Sequence, residues 1–146
     1  MIFYQTLDEY KPDACRKGLV NPFVCVERFY TMSDMTFEDA LKEVKNGKKE
    51  GHWMWWTFPQ MKGLGKSERS FFYGLSGQME ANAYINDPIL GSRLIEITQA
   101  VLDNEKTPYE IFGQDLVKFR ACMILFASSC DLPIFRQACE KYNWII

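Results

Sequence analysis

Three times in its second half the chain sets a capping residue ahead of a proline and an apolar run: Asp87-Pro88, Thr107-Pro108, and Asp131 with Pro133. Proline suits the first helical position because the N–H it lacks would go unpaired there, and an Asp or Thr before it can accept from the free N–H groups that follow. Behind the first signal Leu90, Leu94, Ile97 and Val101 step by four, three and four, an apolar stripe along about fifteen residues of helix. Gly113 stops the short helix after Thr107. Asp115 then caps a helix with Leu116, Phe119, Met123 and Phe126 on one side, and a last helix carries Ile134, Phe135 and Ala138 towards Trp144. Upstream, Phe23, Val26 and Tyr30 share a face of a first helix beginning at Pro22. Thr36 and Asp39 form a T-x-x-D box that opens a second, with Phe37, Leu41 and Val44 inward and Gly47 at its end. Ser76 is the expected cap of a helix carrying Met79, Ala83 and Tyr84.

Alternating, strand-like segments are nearly absent, so the sequence predicts a mainly α fold. It is a single compact multi-helix domain over residues 22–146, with one irregular aromatic-rich segment. Residues 1–21, punctuated by Pro12 and Gly18, read as an irregular N-terminal arm with a short extended piece at Ile2–Gln5. A chain of 146 residues has room for one domain.

The formal charge of −2 leaves no electrostatic footprint for a dedicated nucleic-acid binder. No apolar run approaches the length of a membrane span, and Met1 to Tyr10 lack the pattern of a secretory signal. The five cysteines include no CxxC pair, and with one histidine they supply no standard metal ligand set. Free thiols in a reducing cytoplasm, with neither metal nor cofactor, are the expectation.

Between Gly51 and Gly74 the pattern changes. Three of the four tryptophans and the only histidine fall within His52–Trp56. Pro59 disfavours helix at Phe58, and Gly63 and Gly65 allow the backbone to turn or to approach a ligand closely. Ser67, followed by Arg69 and Ser70, opens a helix whose N–H groups suit an anion. Aromatic faces beside such an end can stack a base and take a phosphate. Tryptophan clusters are more often core, and Trp53 and Met54 are assigned there first. A structural hydrogen bond is the plainer role for His52, and Gly63-Leu64-Gly65 lacks the spacing of a phosphate loop. Gln60 has no evident packing purpose.

The segment His52-Trp53-Met54-Trp55, with Phe58-Pro59-Gln60, Gly63-Leu64-Gly65 and Phe72-Tyr73-Gly74, resembles the signature of the family numbered 1810 among domains of unknown function. The resemblance runs through Glu80-Ala81, Tyr84, Pro88 to Leu94, Ile111-Phe112-Gly113 and Lys118 to Met123 and Phe126, covering about Phe23 to Trp144. It implies a small, mainly helical, cytosolic domain without an agreed activity. Relatives often read Arg-Ser-Ser-Met-Thr-Leu-Phe where this chain has Arg120-Ala121-Cys122-Met123-Ile124-Leu125-Phe126. Chemistry resting on those hydroxyls would be lost here, whereas a binding pocket would survive. A fainter analogy, carried by Pro88 to Arg93 and the aromatic segment, is to NADAR domains, which are linked to ADP-ribose.

The expected function is binding of a small nucleotide or ADP-ribose-like ligand, for sensing or sequestration. The candidate site residues are His52, Trp55, Trp56, Phe58, Gln60, Gly63, Gly65, Ser67 and Lys118. The alternatives are an enzyme acting on an N-glycosidic bond, with His52, Glu80, Asp115 or Lys118 as acid or base, and a protein-interaction module using exposed tryptophans.

Overall fold

Where the sequence predicts two helices before Gly47, the chain forms one. The computed structural model describes residues 25–144; the proposed arm at residues 1–21 and the Ile2–Gln5 extension lie outside them. A 3₁₀ turn, Val26–Phe29, runs directly into α1, Tyr30–Lys45. Thr36 is therefore mid-helix, its hydroxyl donating to the Met32 carbonyl at 2.7 Å instead of capping. A serine or threonine inside a helix satisfies its hydroxyl in this way, so the T-x-x-D box marks no boundary here. The expected inward stripe holds: Phe37, Leu41 and Val44 are buried. Gly47 follows the helix end with φ of 81°, a conformation that favours glycine.

The remaining elements are α2 (Met54–Thr57), α3 (Glu68–Phe72), α4 (Gln78–Asn86), α5 (Leu90–Asp103), α6 (Pro108–Phe112), α7 (Leu116–Ser129) and α8 (Pro133–Lys141). Among the described residues the sole β feature outside helices is an isolated bridge between Met61 and Leu75. The mainly α reading is correct, and the helices close into one domain.

Thr107 forms a full capping box with Glu110, and Pro133 takes a first-turn position. Three expected caps act differently. Leu132, not Asp131, precedes α8, which has no side-chain cap. Gly77, not Ser76, precedes α4, and the Ser76 amide donates to the Glu80 carboxylate at 3.1 Å. Asp115 precedes α7 without capping it, its carboxylate being taken by two lysines. In α4 the buried face is Glu80, Ala81, Tyr84 and Ile85, while Met79 is exposed.

α7 packs against α8 and α4, and α1 against α5. Phe119, Cys122, Met123 and Phe126 of α7 are buried, as are Leu90, Leu94, Ile97 and Val101 of α5. Each such side chain contributes about 1.5–3 kcal/mol on leaving water. Phe126 links the layers, with its ring 5.9 Å from that of Tyr84 and 5.3 Å from that of Phe135. Cys122, Cys130 and Cys139 are free, whereas Cys25 is disulfide-bonded, which corrects the expectation of five free thiols. An odd cysteine count excludes complete pairing, not a single bond.

Candidate functional site

The tryptophan segment is anchored by one carboxylate. Glu43, near the end of α1, accepts hydrogen bonds from the Glu50 amide at 2.7 Å, the Gly51 amide at 2.8 Å and the Trp53 indole N–H at 2.9 Å. Burial works to raise the Glu43 carboxyl's pKa, but these donors and Lys49 outweigh it and hold the pKa below the usual value. Fixed at its start, the segment drives Trp53, Met54, Trp56 and Phe58 into the core.

Trp53 is core, as its composition suggested. Trp56 and Phe58, expected to face a ligand, are core too, at 1% and 0% exposure. The Trp56 indole N–H donates to Thr36 Oγ1 at 2.8 Å, and Phe58 meets Phe112 and Phe119 edge-on at 5.6 and 5.1 Å. Their bulk contributes to stability and presents no ring to solvent. His52 is exposed. Gly63, also exposed, has φ of 92° with open space around it. Ser67 caps α3 by accepting from the Ser70 amide at 3.1 Å, but α3 has only five residues and a correspondingly small dipole.

Trp55, Gly65 and Lys118 do come together. Trp55 is half-buried, and the Lys118 ammonium stands 4.7 Å from its ring centroid. A Cβ on Gly65 would come within 3.0 Å of the far edge of the Trp55 ring and 2.7 Å of Ser70 Cβ, so the loop lies closely on the indole. On the other side Asp115 accepts from Lys118 at 2.6 Å and pairs with Lys49 at 2.9 Å. Lys49, its side chain 9% exposed, also donates to the Gly51 carbonyl at 2.5 Å. Burial pushes the Asp115 carboxyl's pKa up, and the two ammonium groups more than reverse this. The carboxylate therefore stays charged; the trio sums to one positive charge, and the Glu43 carboxylate, which Lys49 also attracts, offsets it.

Gln60 completes the segment. It is only 6% exposed; its side-chain amide makes no hydrogen bond among the described residues but is not sealed from water, the sealed and unpaired atom there being Thr98 Oγ1. Its backbone carbonyl accepts from the Leu75 amide at 2.8 Å, next to the Met61–Leu75 bridge. Sequence reasoning missed Lys49 and gave Asp115 no place among the ligand-binding residues. Lys49 sits in no motif of the sequence, and only the fold brings it to Asp115, far along the chain.

The domain is thus a helical bundle whose aromatic loop folds inward and leaves one tryptophan beneath a lysine. The family model described as "Protein of unknown function (DUF1810)" matches residues 24–144, and the chain belongs to that family. Its structure is similar to the crystal structure of the conserved hypothetical protein Rv1873 from Mycobacterium tuberculosis. The two are 36% identical with a TM-score of 0.79, and the match covers 82% of this chain and 89% of that one. No curated protein matches the chain.

Proposed function

We propose that the protein binds a small, planar, anionic molecule of the nucleotide or ADP-ribose type at the corner formed by Trp55, Gly65 and Lys118. The carrying observation is the Lys118 ammonium over the Trp55 ring, with the Asp115 carboxylate shared between two lysines. A lysine ammonium beside a half-buried indole suits an anion attached to a flat ring system. Trp56 and Phe58 act here as support for Trp55, and the phosphate seat moves from the short helix α3 to Lys118.

The alternatives have less support. Glu80 is locked to Arg28 and Asp115 is held ionised, so neither serves readily as a general acid. Burial of Trp56 removes half of the tryptophan pair that an interaction surface would use. A cytoplasmic location belongs to the proposal; the three free thiols favour it and the Cys25 disulfide weighs against it. No described helix is long and apolar enough to cross a membrane.

Native mass spectrometry of protein purified from cells, followed by thermal-shift titration with nucleotides, tests the proposal. A ligand at about 100 times its dissociation constant adds about 2.7 kcal/mol of apparent stability. Trp55→Ala and Lys118→Ala should each abolish most of that gain. An unmoved melting temperature across the nucleotides, with no retained mass, would refute it.

A further inference from the structure

A concavity of about 610 Å³ opens between α4, the end of α7 and the start of α8. Its volume lies in the range of small-molecule sites, about 300–1,000 Å³. Ile85 and Ala127, both buried, and Leu132 give it an apolar part. Around this sit Asn82 and Asn86 from α4, Asp131 from the linker and Arg136 from α8.

Several polar groups in the lining are already used. The hydroxyls of Ser128 and Ser129 donate to the Leu125 carbonyl, and the Cys130 thiol donates to that of Phe126. The side chains of Asn82, Asn86, Asp131 and Arg136 are not: none has a hydrogen bond or ion pair among the described residues. Asp131 and Arg136 thus line one cavity with opposite charges and do not pair with each other.

The helix ends sharpen the asymmetry. Arg136 lies in the first turn of α8, where the helix dipole disfavours a cation, and that helix has no side-chain cap. At the other side α7 ends with the carbonyls of Ala127, Ser128 and Ser129 accepting no hydrogen bond among the described residues. Arg136 and Asp131 thus present, in one concavity, an exposed cation and an exposed carboxylate without a partner among the described residues.

We infer that this cavity is a binding site for a small zwitterion that carries a carboxylate and an ammonium close together on a short apolar body, the chemistry of a free aliphatic α-amino acid. The carboxylate takes the fork of Arg136 and an Asn amide. The ammonium takes Asp131 and the α7 carbonyls, and the apolar body lies against Ile85 and Leu132.

The test uses the full chain, isotope-labelled for NMR and titrated with L-leucine, N-acetyl-L-leucine or L-leucinamide. L-leucine should shift the side-chain amide signals of Asn82 and Asn86 saturably. Each blocked analogue should bind at least about tenfold more weakly, the effect of losing one charge-assisted hydrogen bond. Arg136→Ala and Asp131→Ala, both exposed and expected to fold, should each remove the saturable response. The inference is overturned if L-leucine at about 10 mM, beyond ordinary weak binding, gives no saturable shift. Equal binding of the blocked analogues, or variants that respond like the parent, would overturn it as well.

Discussion

Gly91, in the first turn of α5, lies so close to Ile85 of α4 that a Cβ built on it would come within 2.0 Å of the Ile85 carbonyl oxygen. The obstacle is backbone and has no flexible end to swing away. Gly91→Ala should therefore cost more than the about 1–3 kcal/mol of ordinary overpacking. Gly77→Ala is the control: nothing lies within 4 Å of its Cβ position and its extended backbone suits any residue. It should stay within about 0.5 kcal/mol of the parent in urea unfolding.

Arg28 and Glu80 make the deepest ion pair of the described residues, at 2.7 Å with side chains 5% and 3% exposed. Removing one partner strands the other charge in a dry site. Glu80→Ala or Arg28→Ala should cost about 3–5 kcal/mol. Asp34→Ala, which breaks the exposed pair with Arg93, should cost at most about 1 kcal/mol. Denaturant midpoints that rank the two pairs alike would contradict this assignment.

Within the aromatic segment, Trp53→Ala should cost about 3–5 kcal/mol through the cavity it leaves. Gln60→Ala should leave folding nearly intact, since its side-chain amide bonds to none of the described residues, while weakening ligand binding. Calorimetry of the two variants, beside the nucleotide titration, separates scaffold from site; an unstable Gln60→Ala with a stable Trp53→Ala would reverse the division.

The stability profile against pH has a signed expectation at both ends. Glu43 and Asp115 have folded pKa values below their ordinary ones of 4.5 and 3.8. Their contribution is present above those values and is lost as acid protonates the folded carboxylates. Glu43→Gln with Asp115→Asn should lower stability at neutral pH and flatten the loss below about pH 4.5. At the alkaline end Tyr30 donates to Asp87, and that hydrogen bond, with burial and the nearby charge, pushes its pKa up to about 12. Stability held by Tyr30 is complete below its ordinary pKa of 10.0 and falls as the pH rises towards 12. Tyr30→Phe should lack that alkaline decline in a denaturation series.

The helices were legible where the signal is local. Thr107 with Pro108, and the stripe from Leu90 to Val101, need only neighbours along the chain to be read. What escaped depends on distant partners. Ser76 reads as a cap, but α4 follows Gly77, and Glu80 binds Arg28 as well as the Ser76 amide, which no spacing announces. Trp55 and Trp56 are adjacent and chemically identical in the sequence. Only packing decides that one indole donates inward to Thr36 while the other lies under Lys118. The Asp131–Arg136 cavity left no trace at all, because its walls come from separate helices.

The Arg28–Glu80 pair does more than neutralise itself. Glu80 takes the amides of Cys25 and Ser76, and Arg28 the carbonyls of Phe72 and Gly74, so two irregular stretches are fastened to one point. The amide protons of Cys25 and Ser76 should then exchange with solvent at a common rate, in a single opening event that frees both stretches together.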